Sequence, residues 1–356
     1  MVAAIILIAI LNWHIPTRVR ISLTTDKVFL NTGGKDNATI LDSVGLKSIV
    51  IEKFATIKLK PEIISLSKHE TPRGAAQNVA KATSNLTIAH LPIVITPRNG
   101  RSQSNVTLSA DASDPRALLV IDAINAKPST EVTLETTEDP GDLILRVDGQ
   151  RSSGSIAVAV PFKLAVDQSE IAGIRGPLDL SKPLTLKGRL FRDSLLQFDS
   201  QEASLILTVT VPAGNSTALL PQGHMLITAI KFEQLDGQSG KILSALTKDS
   251  TCEISYPDYE DKMGKATITK PDFLWLEGLQ TFSIEEITYN PDKKGISLKL
   301  LGVANKITSG SPEYSKDHRL TIYNAIWNNY KVIAIFAVLC WVAGATVALN
   351  KFFKES

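Results

Sequence analysis

Two cysteines, three methionines and five histidines are all the soft or imidazole ligands in 356 residues. A disulfide scaffold is excluded: Cys340 falls in an apolar run and leaves Cys252 without an obvious partner. Scattered histidines offer little for a metal centre, and no metal or cofactor is expected. Charge of one sign is lacking too. The 38 Lys+Arg against 36 Asp+Glu leave a formal charge of +2. Nucleic-acid binders carry a basic excess or a basic stripe, so nucleic acid is not an expected partner.

Catalytic signatures are also missing. There is no G-x-S-x-G elbow, P-loop, H-E-x-x-H or C-x-x-C. Gly237-Gln238-Ser239-Gly240-Lys241 lacks the spacing of a phosphate loop and the hydroxyl residue after its lysine. His69-Glu70 is a lone pair in a polar stretch, with no partner to orient the ring for general-base work. No catalytic residue is assigned, and the expectation is a protein that is not an enzyme.

What is present is hydrophobic patterning. Apolar residues make up 44 % of the chain and charged residues 21 %, enough for a core. Val19, Ile21 and Leu23 alternate with polar residues. So do Ala55, Ile57 and Leu59; Leu143, Leu145 and Val147; Leu205, Leu207, Val209 and Val211; and Ile296, Leu298 and Leu300. A period of two is that of a half-buried strand. Turn chemistry lies between the runs: Asn31 to Gly34, Pro97 to Gly100, Asp139 to Asp142 and Asp236 to Gly240. The clearest hairpin runs from Phe282 to Tyr289, turns through Asn290 to Gly295, and returns over Ile296 to Leu301. Ala117 to Ile124 lacks a helical period and reads as a buried strand. Gly240 to Lys248 and Thr71 to Thr83 are the helix candidates.

The expected fold is therefore an all-β extramembrane region, a β-sandwich or jelly-roll in two domains, with a C-terminal transmembrane helix and a short N-terminal apolar anchor. The expected partition is an anchor at 1–16, a first β domain at 17–167, a linker at 168–182 rich in glycine, a second β domain at 183–310, a juxtamembrane segment at 311–330, the transmembrane helix at 331–351 and a tail at 352–356.

The C-terminal segment carries the strongest signal. Val332 to Asn350 holds no charged residue and is bounded by Lys331 and Lys351. As a helix it rises about 28 Å, close to a hydrocarbon core of roughly 30 Å. Val332, Phe336 and Trp341 are expected to be anchor residues. Gly344 and Ala348 form a small-x-x-x-small pair that lets helix backbones approach. The N-terminal run ends at Leu11 and reads as a signal-peptide core, a short tilted anchor, or the end of a longer anchor beginning upstream of Met1. An anchor, complete or truncated, is preferred, because no basic residue precedes the run. Lys351 and Lys354 place the tail in the cytoplasm and the β region outside it; Arg18 and Arg20 argue the reverse, and the tail is given more weight.

Two acidic turns, Glu138-Asp139-Asp142 and Asp258-Glu260-Asp261, read as solvated loops, without the spacing of a calcium loop. Asn37, Asn85, Asn105 and Asn215 satisfy the glycosylation pattern. The functional expectation is a structural, adaptor or protein-binding role in a membrane or cell-envelope complex. Its partners would be the bilayer and other envelope proteins. The alternatives are an anchored lipid or glycan binding and transfer module, and an enzyme of unknown class.

Overall fold

Val19, Ile21 and Leu23 turn inward while Arg20, Ser22 and Thr24 stay half-exposed, and this alternation recurs along strand after strand. It is seen in Asp142–Asp148 and Leu205–Thr210 as well. The chain is described by a computed structural model over residues 2–60, 63–66, 86–89, 93–97, 104–110, 118–139, 141–148, 153–158, 162–167, 169–172, 184–188, 194–199, 205–212, 216–220, 224–235, 242–243, 252–259, 266–268, 273–292, 295–311, 314–324 and 331–355. The fold is mostly β, and every strand pairing described is antiparallel. There are two large sheets and a two-stranded ribbon, Ile63–Leu66 with Leu86–Ala89.

Among the described residues the larger sheet has seventeen strands. From one edge it runs through Ala266–Ile268, Cys252–Ser255, Val19–Thr25, Gly295–Ser311, Phe273–Asn290, Met225–Leu235 and Lys27–Thr32. It continues through Glu131–Thr136, Asp142–Asp148, Leu205–Thr210, Ser48–Glu52, Asn105–Ala110, Phe162–Asp167 and Leu184–Gly188. The second sheet has seven strands among the described residues. Its order is Ala38–Leu46, Leu119–Ala126, Ser153–Val158, Ser194–Asp199, Thr56–Lys60, Ile93–Pro97 and Ser169–Ala172. The inward side chains of both sheets join one hydrophobic cluster.

Strands from either side of residues 168–182 share the larger sheet. Val19–Thr25 lies between Cys252–Ser255 and Gly295–Ser311, and Leu205–Thr210 lies between Asp142–Asp148 and Ser48–Glu52. Ser169–Ala172, inside the expected linker, is a strand, and 173–182 lie outside the described residues. The expected hairpin is present and longer than its periodicity suggested. Phe273–Asn290 pairs with Gly295–Ser311 along its length, with register shifts at Gln280/Ser283 and Ile284/Glu286 that break the alternation. The strand expected over Ala117 to Ile124 runs over Leu119–Ala126, with Val120 and Asp122 exposed and a bulge between Ile121 and Ala123, so it is not buried along its length; Ala117 lies outside the described residues. Of the helix candidates, Ile242 and Leu243 are in a strand, and Thr71 to Thr83 lies outside the described residues.

Two helices lie near the chain ends: α1, Val2–Leu11, and α2, Lys331–Glu355. Among the described residues no helix is long and apolar enough to cross a membrane. The side chains described in α2 are those of residues 337–348 and Lys351.

Candidate functional site

The site is the place where the two ends of the chain leave the β region. Beyond α1 the backbone straightens at Trp13 and meets the segment that follows the last strand, Tyr314–Asp317. His14 and Thr321 form an antiparallel bridge. The Ile15 amide donates to the Leu320 carbonyl at 2.9 Å, and the Ile322 amide donates to the Trp13 carbonyl at 2.9 Å. Leu320 is buried, and Ile15 packs against the core beside it. The apolar residues at this seam hold it onto the sheet, and the backbone bonds set its register.

Side chains reinforce the seam. The Asp317 carboxylate accepts from the Arg319 amide at 2.9 Å and from the guanidinium through Nε at 3.0 and 3.1 Å and through Nη2 at 2.6 Å. Arg319 Nη1 also donates to the Asn305 carbonyl on the long hairpin. His14 Nε2 lies 3.4 Å from Asp317 Oδ2, so the N-terminal arm touches the same carboxylate. Burial pushes the Asp317 carboxyl up, and the Arg319 hydrogen bonds and charge, helped by His14, outweigh it and hold it below the usual carboxylate value.

His318 faces inward. Its Nε2 is 2.6 Å from Ser309 Oγ, its amide donates to the Ile307 carbonyl at 2.8 Å, and its carbonyl accepts from the Tyr256 hydroxyl. Burial, with Lys316 nearby, pushes the imidazole down against the opposing pull of Asp317. Burial and then the Asp317 charge push the Tyr256 phenol up. Both groups are uncharged near neutrality and serve as hydrogen-bonding members of a packed seam.

Around the seam the surface is aromatic and apolar. Trp13 is 70 % exposed and Tyr323 is 45 % exposed. Ile5, Ile6, Ile8 and Ile10 of α1 are exposed, as are Val338, Leu339, Trp341, Val342 and Val347 of α2. Thr346, the hydroxyl residue in the middle of α2, donates to the Val342 carbonyl at 2.7 Å, so it presents no unpaired polar group. Of the expected anchor residues, Trp341, Gly344, Ala348 and Lys351 are exposed, and a Cβ added at Gly344 would meet nothing within 4 Å. Val332, Phe336 and Lys331 lie within α2, and their side chains fall outside the described ones.

The other sequence candidates do not converge. Among the described residues no three of His, Cys, Asp and Glu are grouped to hold a metal ion. Glu138 and Asp139 are exposed on their turn, and Gly141 there has φ +96°, a conformation glycine adopts without strain. Asp258 is exposed, and Glu260 and Asp261 lie outside the described residues. Asn37 is exposed in a loop; Asn105 is in a strand, paired with Glu52 and Asp167. Asn85 and Asn215 lie outside the described residues. Burial, with Glu253 beside it, pushes the Cys252 thiol up to about 12, so it stays protonated and unreactive.

The seam was not anticipated from the sequence. His14, Asp317 and Arg319 carry no periodic signal, and their pairing joins opposite ends of the chain. No protein-family model and no curated protein matches the chain.

Proposed function

We propose that this chain is a membrane-tethered β protein with a structural or protein-binding role in a membrane or cell-envelope complex, and that its two apolar helices enter one bilayer side by side. The observation that carries this reading is the pairing of Trp13, His14 and Ile15 with Leu320, Thr321 and Ile322. It brings the segments leading to α1 and α2 together at one end of the β region. Two apolar helices tethered to segments paired in this way are suited to a single membrane surface.

Three further facts support it. The uncharged run Val332 to Asn350 lies inside a helix of 25 residues, which rises about 37 Å. Contiguous exposed apolar surface of this kind marks a membrane or protein contact. Trp13 and Tyr323 flank the seam, as amphipathic rings do at a headgroup boundary. The two sheets, each with a dry inner face, suit a β-sandwich as the extramembrane body. The tethered body then meets partners in or on the same membrane at raised effective concentration.

Cys340 tests the tether. It is exposed on the chain taken alone. In vesicles carrying the full-length protein, a charged maleimide should leave Cys340 unlabelled until detergent is added, and carbonate washing should leave the protein in the pellet. Equal labelling with and without detergent, or release by carbonate, would remove the membrane reading. Turnover of a substrate lost on changing one polar side chain, with the fold intact, would remove the binding role.

A further inference from the structure

The outward face of the seven-stranded sheet carries a trough of about 450 Å³, lined by Thr56, Lys58, Asn125, Ser153, Gly154, Ser155, Gln197 and Phe198. That volume is within the roughly 300–1,000 Å³ usual for small-molecule sites. Its origin is visible in the strand registers. Ser155, Gln197 and Lys58 form one cross-strand row, and Asn125, Ser153, Asp199 and Thr56 form the next. The strand Ser153–Val158 contributes only Ser-Gly-Ser to this part of the face. Short side chains there make a floor, and Lys58, Gln197 and Asn125 on the flanking strands make the walls. The floor cannot fill from below: the Phe198 ring occupies the space where a Gly154 Cβ would lie, 2.2 Å away.

The polar groups are oriented within this frame. A bulge between Ile121 and Ala123 turns Asp122 outward, and its Oδ2 accepts from Ser155 Oγ at 3.0 Å. Thr39 Oγ1 donates to Asn125 Oδ1 at 3.0 Å, which leaves the Asn125 NH₂ available as a donor. Gln197 and Lys58 are exposed, and among the described residues Lys58 has no ion pair. The Lys58 ammonium stands beside two carboxamides and three hydroxyl residues, the Asp122 carboxylate is engaged by Ser155, and Asp199 shares the row of Ser153 and Thr56. A cation set among so many neutral hydrogen-bonding groups is complementary to a ligand rich in hydroxyl groups that carries a single negative charge per recognised unit. The lining is too polar for an acyl chain.

We propose that this trough binds an acidic oligosaccharide. Lys58 holds a sugar carboxylate, and Asn125, Ser153, Ser155 and Gln197 exchange hydrogen bonds with ring hydroxyls. Carboxamides suit this task because each offers a donor and an acceptor to neighbouring hydroxyls. The charge-assisted bond from Lys58 supplies the preference for an acidic over a neutral sugar.

The test is titration of the full-length chain in detergent micelles with trigalacturonate as the acidic probe and maltotriose as the neutral one, read by calorimetry. Trigalacturonate should bind saturably and more weakly as salt rises, with maltotriose at least tenfold weaker. Lys58→Gln should lower trigalacturonate affinity at least tenfold and erase the preference over maltotriose. Ser155→Phe should abolish binding by filling the floor while the thermal midpoint stays near that of the parent. Lys231→Gln, an exposed lysine on the other sheet, should leave binding unchanged. The proposal is overturned by no detectable binding of trigalacturonate, by equal weakening in Lys58→Gln and Lys231→Gln, or by full binding in Ser155→Phe.

Discussion

Ile15 donates its backbone N–H to the carbonyl of Leu320 at 2.9 Å, so the arm that follows the first helix is bonded to the segment that leads to the last. With the bridge between His14 and Thr321 it makes a short antiparallel ladder. Residues paired in this way have Cα atoms about 4.5–5.5 Å apart, inside the usual range for a disulfide.

A cysteine pair at these two positions should therefore cross-link. In a Cys340→Ser background, His14→Cys with Thr321→Cys should oxidise to a single intramolecular disulfide, seen as a faster band on non-reducing gels. His14→Cys with Thr217→Cys, placed on another strand, should not. An absence of cross-linking in the first pair under mild oxidant would contradict the seam.

Leu207 and Thr208 are neighbours on opposite faces of one strand. Leu207 is fully buried and Thr208 half-exposed. Leu207→Asp places an unpaired carboxylate in the core at a cost of several kcal/mol, comparable with a whole stability of about 5–15 kcal/mol. Thr208→Asp should cost much less. Denaturant midpoints of the two variants should differ clearly, and equal losses would mean that both faces of this strand are dry.

Gly154 and Phe198 compete for one volume. Gly154→Ala should lower stability by about 1–3 kcal/mol, the usual cost of overpacking, because the added carbon meets the aromatic ring. Phe198→Leu in the same chain should recover part of the loss. A double-mutant cycle measures the coupling; additive losses would show that the two side chains do not meet.

The seam also sets an acid response. The folded His318 imidazole sits below its ordinary value of 6.5 because it is buried. As pH falls through 6.5 the unfolded chain takes up a proton that the folded chain resists, so stability falls. Asp317 is held below its ordinary 3.8. Its contribution is complete above that value and is lost as pH falls through the lowered folded one. Chemical denaturation between about pH 8 and pH 5 should show a steeper loss for the parent than for His318→Gln, which cannot titrate. Parallel curves would place the titration elsewhere.

Much of the secondary structure was readable because strand periodicity is a local property. Val19, Ile21 and Leu23, then Leu143, Leu145 and Val147, then Ile296, Leu298 and Leu300 are all buried as their alternation implies. Where the local rule is interrupted, the reading falls short. The register shifts near Gln280 and Ile284 hid the outer half of the long hairpin, and the bulge at Ile121 put Val120 outside and Ile124 inside. Strand partnership was not readable, because nothing in the residues 19–25 announces that they pair with 252–255 and 296–302. The trough and the seam were missed for the same reason: Lys58 meets Gln197, and His14 meets Asp317, only after distant segments align.

The position of Val19–Thr25 bears on how the chain is made. This strand lies between Cys252–Ser255 and Gly295–Ser311, so its neighbours are synthesised well over 200 residues after it. At about 5–20 residues per second the wait is on the order of ten seconds to a minute. Through that interval Ile21 and Leu23 have no lasting place in the sheet, and loop closure over most of the chain must precede their burial. A strand made long before both of its neighbours is enclosed only when they arrive, so its apolar face stays open to other β segments through that interval.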